Sequence, residues 1–255
     1  MSTIDLHHTI DGPDDGAPFV IGPSLGTSTA MWEDNVAAMA ERHRVIRYDH
    51  RGQGDSPVPP GPYEIADLGR DVIALLDRLG IERSSIGGVS LGGMVAMWLG
   101  AHAPERVDRL VLACTSAHMP QAPWAERART VREAGSTEPV ADGVVVNWLT
   151  PGFARAHPDQ RERLRGLLVA SPPEGYAECC GAIERMDLRD DLERIAAPTL
   201  VVSGSDDGAT PRGHQELIAA RIGGARHETI TPGAHLSNVE APGEFDALVL
   251  DHLSA

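Results

Sequence analysis

The sequence predicts an α/β fold in which helices cover both faces of a mostly parallel β-sheet. Two observations favour this fold class. Apolar runs of strand type alternate along the chain with segments whose apolar residues recur at helical spacing. In addition, the stretch Gly88-Val-Ser-Leu-Gly92 lies between such a run and a helical segment. A serine in this setting is expected on a sharp strand-to-helix turn at the carboxyl edge of a sheet.

The predicted elements alternate from the start of the chain. Strands are predicted over residues 4–10, 17–21, 44–48, 84–89, 107–113, 199–203 and 225–230. Helices are predicted over residues 30–42, 65–79, 91–102, 211–221 and 243–253. The helix over 65–79 is typical, because Leu68, Val72 and Leu75 lie on one face and Gly80 is suited to end it.

One segment, residues 118–197, interrupts the alternation. It is rich in Arg, Glu, Ala and Pro, and it has helical patterns without a convincing strand. Because ligand sites of α/β folds lie at the carboxyl edge of the sheet, a helical cap over that edge is expected. The predicted organisation is therefore a core of residues 1–117 and 198–255 with a helical cap, or lid, over residues 118–197. The alternative is a set of ordinary peripheral helices.

The charged residues of the chain exclude several classes of function. There are 37 acidic and 22 basic residues, which gives a formal net charge of −15, and every basic residue is an arginine. The lack of lysine excludes Schiff-base chemistry and a phosphate-binding P-loop. An acidic chain is also a poor partner for nucleic acids and for anionic membranes. A small-molecule partner is expected instead.

The sequence predicts a cytoplasmic protein. No apolar stretch is long enough to span a membrane, and residues 1–12 do not resemble a secretory signal. The three cysteines, Cys114, Cys179 and Cys180, are odd in number and two of them are adjacent, which suits neither a disulfide framework nor a zinc site. Reduced thiols are typical of the cytoplasm. The oligomeric state is left open by the sequence.

Two serines fit the G-x-S-x-G pattern, and their context separates them. Ser90 follows a predicted strand and leads directly into a helix, whereas residues 27–29 delay the helix after Ser24. Pro23 also removes a backbone N–H from the second turn. Ser90 is therefore the predicted nucleophile.

A serine nucleophile needs a base, and the base needs an acid that orients it. In folds of this type the chain order is serine, acid, histidine. Asp207 follows the strand over 199–203 and is the predicted acid, with its neighbour Asp206 as the alternative. His235 lies in the loop after the last strand and is the predicted base, whereas His227 lies within that strand and is expected to pack there.

The glycine-rich turn around Ser24 therefore has a different predicted role. An oxyanion hole takes one backbone N–H from the residue after the nucleophile, here Leu91, and one from the loop after an earlier strand. The N–H of Ser24 is the candidate for the second donor, with Leu25 as the neighbouring option. The alternative is a turn without a catalytic role.

These residues and several longer stretches resemble the α/β-hydrolase superfamily, and within it the 3-oxoadipate enol-lactonases. The similarity covers nearly the whole chain and continues through residues 118–197. It is carried by Ile21-Gly-Pro-Ser-Leu-Gly26 with Trp32, Arg47-Tyr-Asp-His-Arg-Gly-Gln-Gly-Asp-Ser56, Ser90-Leu-Gly-Gly-Met94, Ala103-Pro-Glu-Arg-Val-Asp-Arg-Leu-Val-Leu112, Trp148-Leu-Thr-Pro151, Pro172-Pro-Glu-Gly-Tyr176 and Cys179-Cys-Gly-Ala-Ile183. The chain departs from the pattern at Gln53, where many relatives have histidine, and at Gly88 and Val89, where bulkier residues are common.

The resemblance implies a carboxylic-ester hydrolase that opens 3-oxoadipate enol-lactone to 3-oxoadipate in the β-ketoadipate route of aromatic degradation. It implies no cofactor and no metal. Because the implied substrate is anionic and lysine is absent, its carboxylate is expected to meet an arginine, a polar donor or a backbone amide. The arginine candidates in the insertion are Arg127, Arg129, Arg132 and Arg185, with an ordinary surface position as the alternative for each. The candidate pocket walls are Trp32, Trp124 and Trp148, with packing in the core or the lid as the alternative.

Two other functions remain open at this point. One is a different serine hydrolase, such as a small-substrate esterase, a thioesterase or a hydrolase of carbon–carbon bonds. The other is a ligand receptor built on the same scaffold. A comparison of turnover on the enol-lactone and on small esters would separate the three.

Overall fold

The computed structural model describes residues 2–254. Within that range seven strands form one sheet in the order β1-β3-β2-β4-β5-β6-β7. Only β1 is antiparallel to its neighbour, and the other strands pair in parallel. The strands are β1 (His8–Asp11), β2 (Ala17–Gly22), β3 (His43–Tyr48), β4 (Ser84–Val89), β5 (Val107–Ala113), β6 (Thr199–Gly204) and β7 (Arg226–Ile230).

The helices fall into a set that belongs to the sheet and a set between β5 and β6. In chain order they are α1 (Glu33–Met39), α2 (Ile65–Arg78), α3 (Leu91–His102), α4 (Gln121–Ala134), α5 (Glu138–Trp148), α6 (Pro151–Ala156), α7 (Pro158–Ala170), α8 (Pro173–Arg185), α9 (Gly213–Arg221), α10 (Ser237–Glu240) and α11 (Pro242–Ser254). This is the predicted fold class, a mostly parallel sheet covered by helices.

Three predicted elements have a bound that is wrong by more than one residue. The first strand begins at His8 rather than residue 4, because the backbone N–H of Ile4 donates to Asp71 and that of His7 donates to Ser56 instead of to the sheet. The predicted helix over 30–42 is a short 3-10 helix followed by α1. The predicted helix over 211–221 begins at Gly213, and α10 was not predicted.

Residues 118–197 are helical, as the sequence predicts for this segment. They hold α4 to α8, and α4 packs against α8. The two ends of the segment meet, since His118 and Asp187 form an isolated β-bridge and the N–H of Leu188 donates to the carbonyl of Ala117 at 2.8 Å. The segment thus leaves the sheet after β5 and returns to it close to the same point.

None of the helices among residues 2–254 is long and apolar enough to cross a membrane. Cys114, Cys179 and Cys180 are buried and unbonded to one another. Burial raises the pKa of each thiol, to about 12 for Cys114 and Cys180. These thiols are therefore inert packing groups.

A buried carboxyl makes the fold sensitive to pH. Asp246 on α11 is 5% exposed and accepts a hydrogen bond from Asn35 Nδ2 on α1 at 2.8 Å. Burial outweighs this bond and raises the pKa of Asp246 from 3.8 to about 7. Between these two pH values the folded protein holds a proton on Asp246 that the unfolded chain releases. The protonated carboxyl therefore stabilises the fold fully below pH 3.8, and this stabilisation is lost as the pH rises through about 7.

We expect Asp246→Asn to weaken this pH dependence. The amide mimics the neutral acid, so the variant should gain stability over the wild type as the pH rises from about 5 to about 8, by no more than about 4 kcal/mol. Urea unfolding at several pH values measures it. The exposed Asp251 on the same helix supplies the control, Asp251→Asn. Parallel stability–pH curves for wild type and Asp246→Asn would contradict the expectation.

Candidate active site

Ser90 occupies a strained turn between β4 and α3. Its backbone has φ 56° and ψ −114°, and it is one of two non-glycine residues of the described chain with positive φ. Such a conformation persists only where the surrounding structure enforces it, and it is typical of functional sites. The Ser90 N–H donates to the carbonyl of Ala113 at 3.0 Å, and Thr115 Oγ1 donates to the Ser90 carbonyl at 2.7 Å.

The glycines of this turn are required by close backbone approach. A Cβ at Gly92 would lie 2.1 Å from the carbonyl oxygen of Gly22, and a Cβ at Gly88 would lie 2.5 Å from the carbonyl carbon of Gly92. The ends of β2 and β4 and the start of α3 therefore touch through their backbones. This contact brings the two glycine-rich turns, each with its G-x-S-x-G pattern, to one place.

The structure pairs Asp207 with His235. His235 Nδ1 lies 3.0 Å from Asp207 Oδ2, and both side chains are buried. Asp207 also accepts hydrogen bonds from the N–H groups of Ala209 and Thr210 and from Thr210 Oγ1, at 2.8 to 2.9 Å. Burial disfavours the charged carboxylate, but the His235 ring and the two hydrogen bonds from Thr210 outweigh it and hold the pKa of Asp207 below its usual range. The pair therefore combines an ionised acid with an oriented imidazole.

Asp206 lies outside this pairing. Its side chain is exposed and accepts a hydrogen bond from Ser205 Oγ at 2.5 Å. Of the two adjacent aspartates, only Asp207 points at a histidine.

The loop that carries His235 is tied to the insertion. The N–H of Leu236 donates to the carbonyl of Trp148 at 2.9 Å. Glu240 Oε1 accepts hydrogen bonds from both the N–H and the hydroxyl of Thr150 at 2.7 Å, and Glu240 Oε2 accepts one from the N–H of Ala234 at 2.5 Å. Glu240 was not predicted from the sequence. Its role is visible only once the two segments are together in space.

A cavity of about 410 Å³ joins these groups. Ser90 and His235 both line it, as do Ser24 and Leu25 of the second glycine-rich turn. The insertion supplies much of the remaining wall, which contains Met119, Pro120, Pro123, Trp124, Arg127, Val144, Asn147 and Trp148. The cavity thus lies between the carboxyl edge of the sheet and the insertion.

Three of the predicted pocket residues line this cavity, namely Arg127, Trp124 and Trp148. The Arg127 guanidinium lies over the Trp124 ring, 4.5 Å from its centroid. Among the ion pairs between residues 2 and 254, Arg127 has no carboxylate partner. It is therefore a positive charge, half-buried and available to an anion in the cavity.

The other predicted pocket residues are not in the cavity, and those predictions were wrong. Trp32 is 1% exposed and packs against Phe245 beneath α11. The three remaining arginines bind carboxylates elsewhere: Arg129 pairs with Glu133, Arg132 with Glu174 and Glu178, and Arg185 with Glu64.

Sequence reasoning also missed His214, which lines the cavity on α9. Its Nδ1 lies 2.7 Å from Ser116 Oγ. No motif marks this position. It could have been suspected only because it follows Asp207 and Thr210 closely and opens the next helix.

One group outside the cavity has metal-ligand atoms close together. Ligand atoms of His7, Asp49 and Asp55 lie within 4.8 Å of one another. The buried Asp49 carboxylate already accepts hydrogen bonds from the N–H of Thr29 at 2.7 Å and of Asp55 at 3.0 Å, and it contacts His7 Nδ1 at 2.8 Å. These contacts explain why the Asp49 carboxylate is buried here: it stabilises the loop.

Comparison with known proteins places the chain in a family. A family model described as the alpha/beta hydrolase fold matches residues 17–242. A protein of Acinetobacter baylyi named 3-oxoadipate enol-lactonase 2 is 38% identical, over 96% of this chain and 92% of its own length. The crystal structure of the enol-lactonase from Burkholderia xenovorans LB400 superposes with a TM-score of 0.96 at 36% identity, covering 98% of this chain and 96% of its own.

A third relative has a different name. A protein of Caulobacter sp. (strain K31), provisionally named a carbamate hydrolase, RutD, is 29% identical over 99% of this chain and 97% of its own length. The chain therefore belongs to the α/β-hydrolase family, and it is a hydrolase enzyme. Its similarity to the enol-lactonases extends over the insertion as well as the sheet.

Proposed function

We propose that this hydrolase opens 3-oxoadipate enol-lactone to 3-oxoadipate, with Ser90 as nucleophile, His235 as base and Asp207 as the orienting acid. One arrangement carries the proposal: Ser90 and His235 line one cavity, and His235 is anchored to the buried Asp207. A serine hydroxyl requires such a pair to become a nucleophile. The two enol-lactonase relatives support the substrate, and through it a role in aromatic degradation.

The reaction proceeds in two halves. His235 Nε2 accepts the hydroxyl proton as Ser90 Oγ attacks the lactone carbonyl carbon. The ring C–O bond then breaks, and the ring oxygen leaves with the electron pair and takes the proton from His235. In the second half the same Nε2 deprotonates a water, which attacks the acyl carbon, and the proton then passes from Nε2 to Ser90 Oγ as the ester bond to Ser90 breaks. The enol product becomes 3-oxoadipate when its hydroxyl proton moves to carbon. Asp207 keeps the proton on Nδ1 throughout, so that Nε2 is the basic nitrogen.

The oxyanion is stabilised at the N-terminus of α3. Leu91 is the first residue of this helix, and its N–H has no acceptor within the helix. For the second donor, peptide geometry favours Leu25 over Ser24. The Pro23 carbonyl accepts a hydrogen bond from the N–H of Gly92 at 3.1 Å, so it points at α3. In a trans peptide the N–H of Ser24 is antiparallel to that carbonyl and points away.

Residues 118–197 act as a cap in this proposal. Eight residues of the cavity wall, from Met119 to Trp148, belong to the insertion, and the catalytic side chains come from the loops of the sheet. The core of residues 1–117 and 198–255 thus supplies the chemistry, and the cap supplies eight of the eighteen residues that shape the pocket. The three buried thiols support the cytoplasm as the compartment.

Arg127 is the proposed partner of the substrate carboxylate. We expect Arg127→Ala to lower kcat/KM for the carboxylated lactone by roughly 10- to 100-fold, since a hydrogen bond to a charged group is worth about 1.5–3 kcal/mol. Hydrolysis of a lactone without the carboxylate should change little. Steady-state kinetics on both lactones measures the effect. Arg129→Ala is the control, because Arg129 pairs with Glu133 outside the cavity. Equal losses on both lactones would contradict the assignment.

The substrate itself is tested by a turnover comparison. The purified chain is assayed on 3-oxoadipate enol-lactone, on small acyclic esters and on a carbamate, because a relative carries the carbamate name. We expect the highest kcat/KM on the enol-lactone. A higher value on an acyclic ester or the carbamate would replace the proposed substrate. Retention of the lactone without turnover would indicate a receptor.

A further inference from the structure

His214 is a polar group of the cavity that the mechanism above leaves without a role. It is the second residue of α9, it is half-buried, and it lines the same cavity as Ser90 and His235. Its position beside both catalytic side chains calls for an explanation.

The position of His214 is set by contacts that lead back to the nucleophile. Its Nδ1 lies 2.7 Å from Ser116 Oγ. The neighbouring Gln215 donates from Nε2 to the carbonyl of Thr115 at 2.8 Å. Thr115 in turn donates to the Ser90 carbonyl at 2.7 Å. The start of α9 is therefore held at a fixed place relative to the turn that carries Ser90.

The hydrogen bonds of Ser116 determine which nitrogen of His214 carries the proton. The Ser116 hydroxyl donates its single proton to the carbonyl of His118 at 2.6 Å. It can therefore only accept from His214, so Nδ1 bears the hydrogen and Nε2 bears a lone pair. Burial lowers the pKa of His214 below its usual value, which keeps the ring neutral. Among residues 2–254, Nε2 has no hydrogen-bond partner. His214, which lines the cavity, thus carries a neutral acceptor nitrogen without a partner.

The proposed reaction creates a donor for such an acceptor. When Ser90 Oγ bonds to the acyl carbon and the ring C–O bond breaks, the leaving enol oxygen stays attached to the acyl group, because the ester is cyclic. Having taken the proton from His235, it is an enol hydroxyl close to the acyl carbon. It can attack that carbon again and restore the lactone. With an acyclic ester this reverse reaction is not favoured, because the leaving group is not tethered to the acyl group and diffuses out of the cavity.

We propose that His214 Nε2 accepts a hydrogen bond from the tethered enol hydroxyl of the ring-opened acyl-enzyme and holds it away from the acyl carbon. Hydrolysis by water is then favoured over closure of the ring. This inference rests on the proposed function, because it requires Ser90 to open a cyclic ester. His214 becomes a residue that selects cyclic over acyclic esters without taking part in proton transfer to Ser90.

Two variants at this position separate a substrate contact from a structural role. His214→Asn keeps a donor near Nδ1 for Ser116 and removes the acceptor at Nε2, whereas His214→Gln places an amide near Nε2. The probes are both enol esters without a carboxylate: α-angelica lactone, which is cyclic, and vinyl propionate, which is acyclic. We expect His214→Asn to lower kcat/KM on the cyclic probe by about tenfold, with little change on the acyclic one. His214→Gln should retain most of the cyclic activity.

The outcomes are distinct from those of the substrate test. Equal losses on both probes, or a cyclic-to-acyclic ratio that is the same in both variants and the wild type, would overturn the role of His214. Thermal melting shows whether either variant has lost stability, and the ratio of the two probes is insensitive to a loss of folded enzyme. Failure of the wild type to hydrolyse 3-oxoadipate enol-lactone would instead overturn the proposed substrate and leave this ratio interpretable.

Discussion

Replacing Ser90 with alanine is expected to lower kcat for the proposed lactone substrate by a factor on the order of 10⁶, as loss of the nucleophile does in other serine hydrolases. Without Oγ no covalent bond to the acyl carbon can form, and only binding and the oxyanion donors remain. The change removes one oxygen at the cavity surface and leaves the backbone contacts of the turn in place. The melting temperature should therefore stay close to that of the wild type.

The chain provides a matched control for this experiment. Ser24 lies in the other G-x-S-x-G turn and lines the same cavity. Ser24→Ala keeps every backbone N–H of that turn, so it should retain most of the activity. The assignment of the nucleophile would be contradicted if Ser90→Ala kept more than a small residual rate, or if Ser24→Ala were the inactive variant.

The second large effect is expected for Asp207→Asn, at about 10⁴-fold in kcat. The Asp207 carboxylate only accepts hydrogen bonds, and it receives them from Ala209, Thr210 and His235. An amide presents NH₂ in place of one oxygen and donates to Nδ1. The His235 proton then moves to Nε2, and that nitrogen can no longer accept the proton of Ser90.

Asp206→Asn is the control for that variant, since the neighbouring carboxylate is exposed and contacts Ser205. Steady-state kinetics of the two variants decides between the adjacent aspartates. The structure leads us to expect near wild-type kcat for Asp206→Asn. If Asp206→Asn lost most of its kcat while Asp207→Asn stayed active, Asp206 would be the acid instead.

The central elements of the fold were predictable because local signals agree with the tertiary structure there. The bounds of β4, α3 and β5 match the sequence prediction residue for residue. In this stretch a fully buried strand is followed by a largely apolar, buried helix, and glycines mark the turn between them. At the edges of the fold the agreement is weaker. Residues 4–7 have an apolar pattern but bond to Asp71 and Ser56 rather than to a strand.

The pairing of Asp207 with His235 was also predictable, because the chain order and the ends of parallel strands bring both loops to one sheet edge. Which arginine faces the cavity was not predictable. Arg127, Arg129 and Arg132 lie on one helix, and which of them faces the cavity depends on how α4 packs against α8. Arg132 is taken up by Glu174 and Glu178, which lie 42 and 46 positions further along the chain, so the sequence alone does not separate it from Arg127.

Contacts between segments that are distant in sequence explain the remaining omissions. Glu240 holds the His235 loop against Thr150, and His214 is oriented by Ser116. Neither residue has a local motif, since each acts through a partner at least ninety positions away. Side chains of this kind become visible only when the packed structure is known.

The claim that Ser90 performs the hydrolysis of the enol-lactone is tested most directly by active-site titration. A fluorophosphonate, which modifies activated serines, is added in increments, and the modified fraction of the Ser90 peptide is measured by mass spectrometry beside the rate on 3-oxoadipate enol-lactone. We expect the wild-type rate to fall in proportion to Ser90 modification and to reach zero at one equivalent. Undiminished lactone hydrolysis by a fully modified protein, or no hydrolysis of the lactone before modification, would contradict the account.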